Sequence, residues 1–106
     1  MKPLLFECGG NNATIVLPDA DLNLTAREII KGAFAYSGQR CTAIKYVIAT
    51  QSTIDQLLPV VLTQMKELVH MGDPRSPETK LVGPVISEMA AEHIEKMITD
   101  AVAAGA

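Results

Sequence analysis

Alternation is the feature that most constrains this chain. Short apolar runs closed by glycine or proline take turns with longer stretches whose apolar residues recur at helical spacing. Strand and helix patterns that alternate in this way give an α/β fold. Leu4 to Glu7 reads as a buried strand that ends on a carboxylate, and Gly9, Gly10, Asn11 and Asn12 break it. Ala13 to Leu17 reads as a second buried strand, stopped by Pro18. Asp19 and Asp21 then offer N-caps to a helix over Leu22 to Tyr36. Its residues Leu22, Ala26, Ile29, Ile30, Ala33 and Phe34 share one face. Gly38 is placed to close that helix in the left-handed conformation.

The second half repeats the pattern. Tyr46 to Thr50 reads as a strand, and Ser52 with Asp55 resembles a capping box with a shorter acid. The helix that follows runs to about Leu68, and Pro59 inside it predicts a kink or a late start. The Pro-rich, charged segment from Gly72 to Pro84 reads as a loop. Ser87 caps a last helix, with Gly105 as its C-cap. Three helices over three short strands leave sheet edges open, as expected for a piece of something larger.

Bulk properties exclude several function classes. The 106 residues suffice for one domain with a modest core. A formal charge of -3, no Trp and 4% aromatic residues speak against nucleic acid as a partner. No apolar run approaches the roughly 20 residues that span a bilayer, so no membrane partner is expected. The N-terminus carries no signal peptide pattern, and two cysteines make no disulfide framework. A reduced, cytoplasmic setting is the expectation.

Cys41 is the first candidate for chemistry. It stands in "SGQRCTA", a polar stretch, with the Arg40 cation beside it and Gly38 just before. A neighbouring cation favours a reactive thiol, whereas free cysteine is also among the most buried residue types. On the residues alone, both readings stay open. Glu7 is likewise open between a solvated strand end and a partly buried general base. The habit of open α/β sheets to gather sites at the carboxyl ends of strands favours the base. Cys8 is read as packing, although a thiol-redox pair of Cys41 with Cys8 is an alternative. A non-catalytic, self-associating domain is another. His70 and His93, placed on helices, make no metal-ligand spacing with the cysteines, so no metal site is expected. No G-x-G-x-x-G or Walker A pattern occurs.

Two motifs together carry a family resemblance. "FECGG" places a Glu before Gly-Gly, and "GQRCTA" places a Cys 34 residues after that Glu. In this the chain resembles the aldehyde dehydrogenase superfamily. "IVLPDADL", "GDP", "VGPVIS" and "DAVAAGA" follow the family's order over essentially the whole chain. Cys8 departs from it, because Leu is usual there. "AYSGQRCTAIK" is most similar to the non-phosphorylating, NADP-dependent glyceraldehyde-3-phosphate branch.

The resemblance implies a fold and a set of roles. The fold would be a partial three-layer parallel sheet with flanking helices, and residues 1–106 would be the N-terminal part of the catalytic domain, without the cofactor-binding domain. Cys41 would be the nucleophile and Glu7 the base. Arg40, Cys41 and Thr42 would line the substrate pocket, and Glu7 and Cys8 would lie near the nicotinamide of NAD or NADP. The substrate would be a small aldehyde, oxidised through a thioester to an acid. The whole enzyme would be a homo-oligomer, and the isolated chain would be inactive.

Overall fold

The computed structural model describes residues 3–5 and 9–106. Its elements are β1 (Asn12–Ile15), α1 (Leu22–Phe34), a 3-10 segment (Ala35–Gly38), β2 (Ile44–Ile48), α2 (Gln51–Leu68), β3 (His70–Met71), β4 (Leu81–Val82) and α3 (Glu88–Ala103). β1 pairs with β2 and β3 with β4, both parallel, as two separate two-stranded sheets. Parallel neighbours cannot be joined by a tight hairpin. α1 supplies the crossover between β1 and β2, so the expected α/β character holds.

Local chemistry explains why α1 forms where it does. Asp21 is the N-cap, and its Oδ1 accepts from the Leu24 N–H at 3.0 Å. The face that Ala26, Ile29 and Ile30 share is buried. Ala26 and Ile29 meet Val16 after β1 and Leu57 of α2, with Leu22, Val47, Val60 and Val61 packed around them. At Gly32, a Cβ would sit 2.5 Å from Ile44 Cδ1, so the absent side chain lets α1 lie close to β2.

Several boundaries differ from the expectation. α1 ends at Phe34 rather than Tyr36, because Tyr36 and Ser37 adopt φ of 59° and 58°. Gly38, at φ 69°, does take the left-handed conformation expected of it. β2 starts and ends two residues before the expected Tyr46–Thr50, because Thr50 is already committed to capping α2. The Thr50 hydroxyl accepts from the Thr53 N–H at 3.4 Å, so Ser52 lies inside the helix and is not its cap. Asp55 instead accepts from Gln51 Nε2 at 2.7 Å.

Pro59 delays nothing, since α2 runs from Gln51 through it. Buried Thr53 and Leu57 before the proline, and Val60 and Val61 after it, anchor both halves of the helix on the core. That tertiary packing outweighs the one missing N–H. His70 belongs to a strand and not a helix, and the expected loop 72–84 contains β4. These two-residue strands form through backbone bonds, His70 N–H to Lys80 O at 2.9 Å and Gly72 N–H to Val82 O at 3.2 Å, which no side-chain pattern announces.

Of the expected first strand, Leu4 and Leu5 lie in no regular element and are 79% and 95% exposed. The rest of it, with Glu7 and Cys8, lies outside the described residues. α3 begins at the Ser87 cap and ends before Gly105 at φ 97°, as expected. It contributes no buried residue, and Ile94, Met97, Ile98 and Val102 stay exposed.

Ile30 is fully buried, so Ile30→Ala is expected to destabilise the fold by about 2–4 kcal/mol in urea unfolding. A loss well below 1 kcal/mol would show that α1 is not seated on this core.

Candidate active site

Cys41 stands at the corner of a tight turn. The Ala43 N–H donates to Arg40 O at 3.0 Å, which leaves Cys41 and Thr42 as the two central residues. Both are exposed, as is Arg40, while Ala43 is buried at 2% exposure and anchors the turn. Cys41 is a free, exposed cysteine in the described structure.

The start of β1 holds this turn from the side. Asn12 Nδ2 donates to Cys41 O at 2.6 Å and to Ala43 O at 3.0 Å. One amide therefore spans two carbonyls of the turn. Gly10 comes equally near, because a Cβ built on it would meet Cys41 O and the Asn12 amide. Only glycine permits that approach of backbone to backbone. The register slips between Asn12 and Ala13, whose partners are Ile44 and Tyr46, so Lys45 is passed over. Such an irregularity re-aims side chains beside a site. The Lys45 ammonium donates to Gly38 O at 3.1 Å and ties the bulge back to the turn.

A second clasp acts upstream. Non-glycine residues in the left-handed region cost roughly 1–2 kcal/mol each, and Tyr36 and Ser37 are both there. Ser37 Oγ accepts from the Gly83 N–H at 2.8 Å and donates to Gly83 O at 3.2 Å. This pair, part-buried, fixes the strained segment to the chain just after β4. The Arg40 guanidinium lies 5.5 Å from the centroid of the exposed Tyr36 ring, a cation–π contact worth about 0.5–1 kcal/mol.

The sequence-predicted residues fall out unevenly. Arg40, Cys41 and Thr42 share the exposed turn, whereas Glu7 and Cys8 lie outside the described residues. The described chain that leads from them, at Gly10, abuts the Cys41 carbonyl. Both the glycine pair and the cysteine turn precede their strands. The expectation of a strand carboxyl end concerns Glu7, which lies outside the described residues, and the described part of the site lies at the amino ends of β1 and β2. The reason is that these motifs feed into the described strands and do not leave them. The sequence marks Asn12 as part of a strand break and marks neither it nor Ser37 as a site residue, although an Asn at the first position of a strand beside a second strand has two side-chain donors to place.

Among the described residues no group of His, Cys, Asp and Glu could hold a metal ion. None of their helices is long and apolar enough to cross a membrane. A groove of 880 Å³ opens between Phe34, Met71, Val82 and the apolar side of α3, away from Cys41.

A family model described as the aldehyde dehydrogenase family matches residues 1–106. The chain belongs to the aldehyde dehydrogenase family. It is 46% identical, over its whole length, to an NADP-dependent glyceraldehyde-3-phosphate dehydrogenase of Apium graveolens, of which it covers 21%. The enzyme of the same name from Scenedesmus vacuolatus is 44% identical over the whole chain and is covered to 44%. Two aldehyde dehydrogenase structures, both complexed with NADP, are similar in fold. The NADP-dependent glyceraldehyde-3-phosphate dehydrogenase of Bacillus halodurans matches with a TM-score of 0.79 and 45% identity, over 92% of this chain and 20% of that one. The glyceraldehyde-3-phosphate dehydrogenase of Methanocaldococcus jannaschii matches with a TM-score of 0.82 and 38% identity, over 92% and 21%. The chain thus spans about a fifth of the length of the first of these relatives.

For this aldehyde dehydrogenase segment, Gly10→Ala tests the contact with the cysteine turn. The added methyl meets main chain, which cannot swing aside, so a loss of about 1–3 kcal/mol in urea unfolding is expected. The amide resonances of residues 41–43 should shift while those of α2 stay in place. Unchanged stability and an unchanged turn spectrum would remove Gly10 from the site.

Proposed function

We propose that residues 1–106 are the nucleophile-bearing part of the catalytic domain of an NAD(P)-dependent aldehyde dehydrogenase, with Cys41 as nucleophile and Glu7 as base. The observation that carries this reading is the seating of Gly10 and Asn12 on the Cys41 turn. The pairing of β1 with β2 brings together two motifs that are 34 residues apart, and the chain reaches Glu7 three residues before Gly10. Family membership and the relatives' names support the reaction class. The relatives named NADP-dependent glyceraldehyde-3-phosphate dehydrogenase support that aldehyde as substrate, and the exposed Arg40 is suited to its phosphate.

The described residues do not by themselves fit a dinucleotide. They include no glycine-rich phosphate loop, and what faces Cys41 from the β1 side is the Gly10 backbone and the Asn12 amide. NADP or NAD, held mainly by other parts of the enzyme, would supply the hydride acceptor. The chain's own residues do the rest. Cys41 Sγ, as thiolate, bonds to the aldehyde carbon while the carbonyl electrons move to oxygen, giving a thiohemiacetal. The Cys41 backbone N–H stabilises that oxyanion. After oxidation the acyl group stands on Sγ as a thioester. Glu7 takes a proton from water, whose oxygen attacks the acyl carbon, and the C–S bond breaks to release carboxylic acid and the Cys41 thiolate. Thr42, beside the nucleophile at the turn corner, lines the aldehyde pocket.

Two measurements test this in the chain itself. An activated ester such as p-nitrophenyl acetate needs no oxidation to acylate Cys41, so the chain should release a burst of p-nitrophenolate faster than a free cysteine peptide does. Cys41→Ser should abolish the burst, and Cys8→Ser should preserve it. The same chain, given aldehyde and NADP, is expected to form no NADPH. A burst that survives Cys41→Ser, or aldehyde-dependent NADPH formation by the chain alone, would contradict the proposal.

A further inference from the structure

We infer that Asn12 is a positioning residue for the oxyanion step at Cys41. This rests on the reading of Cys41 as the nucleophile and extends it to a residue outside the two motifs. A backbone N–H stabilises an oxyanion only if its direction is set before the reaction. Cys41 lies at an exposed turn corner, two residues before the buried Ala43. The turn's own bond, from the Ala43 N–H to Arg40 O at 3.0 Å, holds the Arg40–Cys41 peptide but leaves the Cys41–Thr42 peptide plane free to tilt.

The Asn12 amide removes that freedom. Its Nδ2 donates to the carbonyls on both sides of Thr42, Cys41 O at 2.6 Å and Ala43 O at 3.0 Å. Holding the Cys41 carbonyl sets ψ of Cys41, and the turn bond to Arg40 O sets the peptide before it. Between them they orient the Cys41 N–H relative to Sγ on the same Cα. Asn12 is itself held, as the first residue of β1 in register with Ile44, and Gly10 closes the remaining side of the Cys41 carbonyl. Asn suits this position because its NH₂ offers two donors, whereas Asp of the same shape would offer only acceptors to two carbonyl oxygens.

The test separates a reaction that forms an oxyanion from one that does not. Acylation of Cys41 by p-nitrophenyl acetate passes through a tetrahedral oxyanion. Alkylation by iodoacetamide is a direct displacement at carbon that needs only the thiolate. It can be followed on the tryptic peptide Cys41–Lys45, which cleavage after Arg40 releases. In Asn12→Ala, the acylation burst is expected to slow roughly tenfold, less than the loss of a whole oxyanion donor, with alkylation of Cys41 unchanged. Asn12→Asp, the isostere that keeps the strand's shape, should slow acylation at least as much and serves where the alanine variant fails to fold by circular dichroism. Equal acylation in wild type and both variants overturns the role of Asn12 and leaves Cys41 as nucleophile. Acylation and alkylation slowed in the same proportion also overturn it, since Asn12 would then act only on thiol availability. A wild-type chain that acylates no faster than a free cysteine peptide sinks the reading of Cys41 itself.

Discussion

The parallel pairing of β1 with β2 is the contact on which the rest depends. It sets the first residue of one strand, Asn12, against the turn that opens the other, and it does so with the register slip that passes over Lys45. Parallel pairing requires a covering crossover. α1 provides it, with its face of Ala26, Ile29 and Ile30 buried. Gly32 against Ile44 lets that helix come close enough. Core packing therefore reaches the candidate site through the start of β1.

Order in the core is matched by strain at the turn. Tyr36 and Ser37 hold left-handed backbone geometry that neither residue prefers, and Gly38 completes the run. The Ser37 hydroxyl, bonded twice to the Gly83 peptide, keeps the segment in place from the far side. The turn is thus fixed by β1 on one flank and by the chain after β4 on the other. This arrangement presents Cys41 to solvent on a backbone with little freedom, which is what a pre-organised nucleophile requires.

Side-chain pattern and cap chemistry made part of this legible from sequence. Asp21 and Ser87 cap their helices as their types predict, Gly38 and Gly105 take the left-handed conformation although the C-caps of α1 and α3 are Ala35 and Ala104, and the apolar stripe of α1 lies on the core. The polar residues around Cys41 suggested an exposed stretch, and Cys41 is exposed. What was not legible lives in backbone bonds and long-range contacts. β3 and β4 are two residues each and carry no periodicity. Thr50, read as the end of a strand, caps α2 in place of Ser52. Asn12 reaches Cys41 across 29 residues, and Ser37 reaches Gly83 across 46, distances over which a local pattern has nothing to say.

The central claim is that the carboxylate of the glycine motif and the thiol of the turn work on one acyl group. Glu7→Gln treated with p-nitrophenyl acetate tests it most directly, read by intact mass and by the tryptic peptide Cys41–Lys45. The account predicts that the acetyl group goes onto Cys41 at the wild-type rate and then stays there, because no base activates the water that would remove it. Acetyl-Cys41 that turns over as quickly in Glu7→Gln as in wild type would contradict it.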